Sequence, residues 1–208
     1  MYRFNRINNT LKSEEYIGRK FKTEFIGESF ELEEGISEEF LKTCRILDLR
    51  GLAPGTTGNV SLRVEGGMLI KAGGKPLGRL TGDDIILVLE YDQKTNTAKV
   101  KGKFEPSSET PMHYLVYKNF PEVNAIVHAH DPLVLKNSEL VERLKIKTTA
   151  REIPYGTLEL AKEVIEGLKE SRYVFIKNHG SIAIGKNLKD AMDLMLWIHR
   201  KFEDEGKD

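Results

Sequence analysis

Residues 124–130, Asn-Ala-Ile-Val-His-Ala-His, form an apolar run that closes on two histidines one residue apart. In a strand the side chains alternate between faces, so His128 and His130 share one face with Cα atoms roughly 6.6 Å apart. Two imidazoles so placed can chelate one metal ion. His179 follows a second apolar run, Tyr173–Ile176, and can close the set. Three neutral imidazoles suit Zn²⁺: they leave its full charge available and keep a fourth position open, as in a catalytic site. A structural zinc held by cysteines is excluded, because Cys44 is the only cysteine.

One histidine near a strand end is more often a surface or hydrogen-bonded residue. The paired spacing, with a third histidine after another strand, is what points to a metal. The two remaining histidines, His113 and His199, fall inside expected helices and read as structural. A cupin-type His-x-His site would carry a glutamate soon after the pair, and Asp131–Asn137 contains none.

Two further clusters can do chemistry. Pro106-Ser107-Ser108-Glu109-Thr110 has the composition of a helix start, where serines cap free N–H groups and a glutamate complements the dipole. The same arrangement can bind an anion through the helix N-terminus and two hydroxyls. Glu109 would then reach the metal or a substrate proton, and a carboxylate beside a polarised carbonyl is what proton abstraction from the adjacent carbon needs. Gly55-Thr56-Thr57-Gly58-Asn59 can wrap a phosphate with backbone N–H groups and hydroxyls, or can be a plain loop entering a strand. No Gly-Lys-Ser/Thr follows, so it is not the nucleotide-binding P-loop.

These residues need elements to position them. Ser37 is the expected N-cap of a helix carrying Phe40, Leu41, Cys44, Ile46, Leu47 and Leu49, with Gly51 as its stop. Strands are expected over 59–65 and 68–72, joined at Gly66-Gly67 as a hairpin, then over 84–91 and 99–101. A helix should begin at Ser107 or Ser108 ahead of the histidine strand. A short helix near 139–144, a helix over 157–169, the strand 173–177 and an amphipathic helix over 188–202 complete the series. Several neighbouring strands lack the crossover helix that parallel pairing requires. The expected fold is therefore a single α/β domain with a mixed, mainly antiparallel sheet and helices packed on it. In the last helix Ala191, Met195, Ile198 and Phe202 make one stripe, widened by Leu194 and Trp197, that suits a core face or a subunit interface.

Composition sets the outer bounds. The 208 residues are 39% apolar and 31% charged, with formal net charge zero, so no global field attracts nucleic acid or an anionic membrane. The single cysteine fits a reducing, cytoplasmic setting, and no run is long enough to span a bilayer. The first stretch has acidic residues and no apolar core, unlike a targeting peptide. Residues 1–35 show no sustained period and read as an extension of unassigned role, ahead of a catalytic domain over 36–208.

Taken together, Gly55–Ser61, Leu69–Gly74, Pro106–Glu109, His128-Ala129-His130, Gly156–Ala161 and Asn178-His179-Gly180 occur in an order that resembles the class II aldolase/adducin family over roughly 37–204. The resemblance implies a sheet flanked by helices on both sides and a homotetramer with active sites between subunits. It implies one Zn²⁺ per subunit on His128, His130 and His179, with Glu109 as a ligand that substrate displaces and that then acts as base. It places the substrate phosphate on Thr56, Asn59, Gly74, Ser107 and Ser108. The implied reaction is reversible cleavage of a small ketose 1-phosphate, of the L-fuculose 1-phosphate type, to dihydroxyacetone phosphate and an aldehyde through a metal-stabilised enediolate. Gly74–Leu80 followed by Asp83-Asp84 also resembles the methylthioribulose-1-phosphate dehydratases of the same fold. A silent interaction module like the adducin head is the third possibility, against which the retained histidines and Glu109 stand. The chain departs from the aldolase pattern at Gly73, where a Ser or Thr is usual. It also lacks a tyrosine between His130 and Ile153 and a tyrosine-bearing tail.

Overall fold

The computed structural model describes residues 18–205. Its strands are β1 (Lys22–Gly27), β2 (Asn59–Val64), β3 (Gly67–Lys71), β4 (Ile85–Asp92), β5 (Thr97–Lys101), β6 (Ala125–Ala129), β7 (Tyr173–Ile176) and β8 (Gly180–Gly185). Its α-helices are α1 (Glu34–Leu49), α2 (Thr110–Asn119), α3 (Pro132–Lys136), α4 (Ser138–Arg143), α5 (Leu158–Leu168) and α6 (Leu188–Glu205). All eight strands join one sheet in the order β1-β5-β4-β3-β2-β6-β8-β7. Only β1–β5 is parallel, and the other pairings are antiparallel. The mixed, mainly antiparallel α/β sheet expected from the missing crossover helices is the one observed.

Strand alternation sorts the core into two layers. Ile70, Ile86, Ile126, Val174 and Ile182 pack with Met112, Val116, Leu160 and Val164 of α2 and α5. Leu69, Ile85, Val127, Phe175 and Ala183 point the other way, onto Phe40, Cys44 and Leu47 of α1 and Ala191, Met195 and Phe202 of α6. Burying each such large side chain contributes roughly 1.5–3 kcal/mol. The apolar stripe of α6 is therefore a core face: Ala191, Met195 and Phe202 are buried, while Trp197 is 52% exposed.

Several elements differ from the sequence expectation, each for a physical reason. Part of the stretch read as an extension, Lys22–Gly27, is edge strand β1, while residues 1–17 lie outside the described residues. It is held by backbone pairing to β5 rather than by burial, so its side chains carry no hydrophobic alternation. Helix α1 starts a turn before Ser37, with Glu33 at its N-cap and no side-chain cap, so the capping signal at Ser37 is not used. Strand β8 was not anticipated, because all its residues are buried and no alternation marks it. Helix α3 was also missed; Asp131 caps it by accepting from Leu133 N at 2.9 Å. The β2–β3 hairpin forms, with Val64 opposite Gly67, so its turn lies one residue earlier than Gly66-Gly67.

Phe202 is fully buried where α6 closes onto the sheet. Phe202→Ala should lower the unfolding free energy by about 3–5 kcal/mol. Guanidinium unfolding of both proteins checks this, and a loss under about 1 kcal/mol would show that α6 does not close the core.

Candidate active site

Strand β6 lies between β2 and β8, with Asn59 opposite His128 on one side and Ser181 opposite Ala129 on the other. Ala125, Val127 and Ala129 face the α1/α6 layer, so His128 turns to the α2/α5 side, towards His113. His130 follows the strand's last residue. His179 sits in the turn between β7 and β8, where Asn178 has φ 56° and His179 N donates to Ile176 O at 3.0 Å. Left-handed backbone is tolerated by asparagine more readily than by most residues, which suits Asn178 to that turn. Gly180 has no room for a side chain: a Cβ there would collide with Ala129 O and stand 3.2 Å from His128 Cε1. Gly58 is constrained likewise, at φ 67° with its Cβ position 2.9 Å from His128 O.

The three histidines converge. Their candidate ligand nitrogens all lie within 4.8 Å of one another. His128 Nε2 and His130 Nε2 are 3.0 Å apart, and the His128 and His179 rings stack at 5.1 Å between centroids. His128 Nδ1 is 3.0 Å from Ser181 O, which can only accept, so Nδ1 carries the proton and Nε2 presents its lone pair. Burial first, and the neighbouring imidazoles second, push the His128 pKa well below the usual histidine value. Burial, with the nearby His179 and Lys71, pushes His130 down to about 3. Both rings are therefore neutral at pH 7, the protonation state that metal ligation requires. The donor set fits a divalent ion that accepts nitrogen ligands, and it leaves coordination positions for oxygen.

Glu109 occupies the N-cap position of α2, buried, with Oε1 3.7 Å from His179 Nε2. It stands beside the three-histidine group rather than within it. The helix begins at Thr110, two or three residues later than the serines suggested, because Ser107 and Ser108 form the turn that leads into it. Ser107 Oγ accepts from Glu109 N at 3.3 Å, and Ser107 O accepts from Thr110 Oγ1 at 2.6 Å. Gly156 packs over this turn, its Cβ position only 3.0 Å from Ser108 O.

The other expected anion-binding residues lie in loops bound to the same strand ends. Asn59 is buried at the start of β2 with no hydrogen-bond partner for Oδ1 among the described residues. Thr56 and Gly74 are exposed in loops whose carbonyls, from Thr56 and Lys75, both accept hydrogen bonds from Lys71 Nζ. His113 is buried behind the site, with Nδ1 2.7 Å from Ser61 Oγ, which also lies 2.8 Å from Tyr117 Oη. His199 pairs with Asp131 at 2.7 Å on the opposite layer. Neither joins the metal-binding group.

Sequence reasoning missed three contributors. Ser181 acts through a backbone carbonyl and leaves no side-chain signal. Tyr155 stacks against His179 at 6.4 Å between centroids, and it follows an irregular stretch with no period. Lys71 appeared as one residue of a strand and of the Leu69–Gly74 segment, with no role of its own.

With this geometry in view, comparison with known proteins is decisive. A model of the class II aldolase and adducin N-terminal domain matches residues 38–204. The chain belongs to the class II aldolase/adducin family. It is 36% identical over 164 residues to L-fuculose phosphate aldolase of Methanococcus maripaludis, covering 74% of this chain and 86% of that protein. It is 31% identical over 175 residues to a 5-methylthioribulose-1-phosphate/5-deoxyribulose-1-phosphate aldolase of Escherichia coli, covering 78% of each. Among solved structures, L-fuculose-1-phosphate aldolase from Thermus thermophilus superposes with TM-score 0.65 at 26% identity, over 83% of this chain and 97% of that one. These relatives are lyases, and the chain stands with them as an enzyme.

The depressed imidazoles also set an acid limit. A histidine held near a pKa of about 3 in the fold, like His113 or His130, stays neutral, whereas the unfolded chain takes up a proton near its ordinary 6.5. The unfolded state then binds more protons between those values, so stability is full above about pH 6.5 and falls as pH drops towards 3. Urea unfolding of the metal-free protein should give a clearly lower unfolding free energy at pH 5 than at pH 7. A flat profile across that window would contradict the buried neutral histidines.

Proposed function

We propose that the chain is a zinc-dependent aldolase that reversibly cleaves a small ketose 1-phosphate, of the L-fuculose 1-phosphate type, to dihydroxyacetone phosphate and an aldehyde. The observation that carries this reading is the buried Glu109 carboxylate, 3.7 Å from His179, beside three convergent imidazoles. His128, His130 and His179 are the residues to hold the ion. When bound, the ion supplies positive charge beside the substrate's carbonyl oxygen and so lowers the cost of negative charge developing there.

The chain's own residues do the rest. Glu109 takes a proton from the carbon next to the carbonyl in the condensation direction and returns it in cleavage. Its burial at the head of α2 keeps that carboxylate out of bulk water and aimed at one place. Asn59, Ser107, Ser108 and the loops at Thr56 and Gly74 hold the phosphate, which fixes the reacting carbon relative to Glu109. The family setting supports a cytoplasmic homotetramer. Among the described residues no helix is long and apolar enough to cross a membrane.

A second substrate is favoured by a specific observation: the relative from E. coli is named for methylthioribulose and deoxyribulose 1-phosphates. The chain's Gly74–Leu80 segment bears a similar resemblance to the dehydratases acting on methylthioribulose 1-phosphate. Product analysis separates the chemistries. Incubating the zinc-loaded protein with fuculose, rhamnulose, deoxyribulose and methylthioribulose 1-phosphates should yield dihydroxyacetone phosphate from at least one. A single dehydrated diketone from methylthioribulose 1-phosphate, with no dihydroxyacetone phosphate from any, would replace the aldolase reading by the dehydratase one.

Glu109→Gln should keep the fold and the metal content while lowering kcat by two to four orders of magnitude, roughly the range of a positioned acid–base group. Metal analysis alongside turnover checks this, and wild-type turnover by the variant would remove Glu109 from the base role. His130→Ala should instead lose stoichiometric metal, read by elemental analysis of the purified protein.

A further inference from the structure

Lys20 lies ahead of the first strand, outside the residues 38–204 that the family model matches, yet it reaches the candidate site. Its Nζ donates to Tyr155 O at 2.7 Å and stands 4.3 Å from the centroid of the Tyr155 ring. Tyr155 Oη in turn donates to Gly18 O at 3.3 Å, so the segment and the tyrosine hold each other. Alongside, Arg19 pairs with Glu105 at 3.3 Å, and its Nη1 lies 3.2 Å from the Cβ position of Gly73. Residues 18–20 therefore run along the site from Gly73 to Tyr155.

The segment is itself anchored, so it can transmit a constraint. Phe21 is buried and meets Tyr91 edge-to-face at 6.2 Å. Tyr91 Oη donates to Asn96 Oδ1 at 2.6 Å, and Asn96 Nδ2 donates to Lys20 O at 2.6 Å. Lys22 N adds a backbone bond to Asn96 O at 2.9 Å. What Lys20 grips has less regular support, because Tyr155 lies in the stretch 150–157, outside any helix or strand. Its ring stacks on His179 at 6.4 Å between centroids, with 19° between the planes. The next residue, Gly156, packs over Ser108 O in the turn that delivers Glu109. Tyr155 and Gly156 thus touch both a metal-ligand ring and the approach to the base. A cation on an aromatic face and a charged donor on a carbonyl are directional contacts. A stretch without a backbone ladder of its own depends on such contacts for a single position.

We propose that Lys20 is a positioning residue of the metal site: it fixes Tyr155 and Gly156 against His179 and the Glu109 turn, and so holds the third histidine in line with the 128–130 pair. The inference rests on the metal-binding part of the reading above, and on no particular substrate or reaction.

The test uses cobalt(II) binding to the full-length chain, wild type against Lys20→Met and Lys20→Arg, each checked for fold by circular dichroism. Lys20→Met should weaken cobalt binding roughly three- to thirtyfold and shift the visible absorption of the bound ion, because a ligand ring has turned. Lys20→Arg keeps a cation and donors for the ring and the carbonyl, and should restore most of the affinity and the wild-type spectrum. A lower Tm for Lys20→Met, with cobalt affinity within about twofold of wild type and an unchanged spectrum, would make the segment a structural tie only and overturn the proposal. If Lys20→Met does not fold, Lys20→Gln, which removes the charge and shortens the reach, decides by the same two readings. A Lys20-dependent affinity and spectrum in a protein that cleaves no ketose phosphate would uphold this inference and remove the aldolase reading. Cleavage by the wild type, with cobalt binding indifferent to Lys20, would do the reverse.

Discussion

The placement of β6 between β2 and β8 is the constraint from which the site follows. Its register sets Asn59 opposite His128 and Ser181 opposite Ala129, and the Ser181 carbonyl then fixes which His128 nitrogen carries the proton. A slip of one residue would turn His128 into the α1/α6 layer and Val127 out of it. Burial on both faces penalises that slip, because Ala125, Val127 and Ala129 fill one layer and Ile126 the other. Glycines at 58 and 180 let the neighbouring chain approach His128 closely enough to hold the site. Hydrophobic packing thus sets the geometry of a polar site to which it contributes no ligand.

Burial then shapes the electrostatics in two directions. It strips protons from His128 and His130, leaving neutral rings, and it lowers the Lys71 ammonium to about 8. Both effects come from the same desolvation, which always disfavours the charged form. The outcome differs because a histidine becomes neutral near pH 7 at little cost, whereas a lysine lowered to about 8 remains mostly protonated. The site consequently sets neutral imidazoles that could hold a metal ion close to a buried ammonium.

Much of this was legible in the residues, for reasons specific to each. The His-x-His spacing needs only a strand to bring two imidazoles to one face, so its meaning is local. The missing crossover helices sufficed for the sheet type, since antiparallel neighbours are the alternative to long connections. Strands β1 and β8 were hidden for opposite reasons: one has no buried face and the other has two. The start of α1 was misplaced because Ser37 is a good cap at a position where the preceding turn is already helical.

The sequence by itself determined the inventory: three histidines and a glutamate in a recognisable order, an apolar alternation for the sheet, and loops suited to an anion. Tertiary structure alone decided their relations. That His179 reaches across to the 128–130 pair depends on β8 pairing with both β6 and β7, a contact between segments about 50 residues apart. The tautomer of His128 depends on a backbone carbonyl that any residue at 181 would supply, and the Lys71 ammonium is held by carbonyls from two separate loops. Main-chain partners have no side-chain identity, so such constraints exist only once the chain has folded.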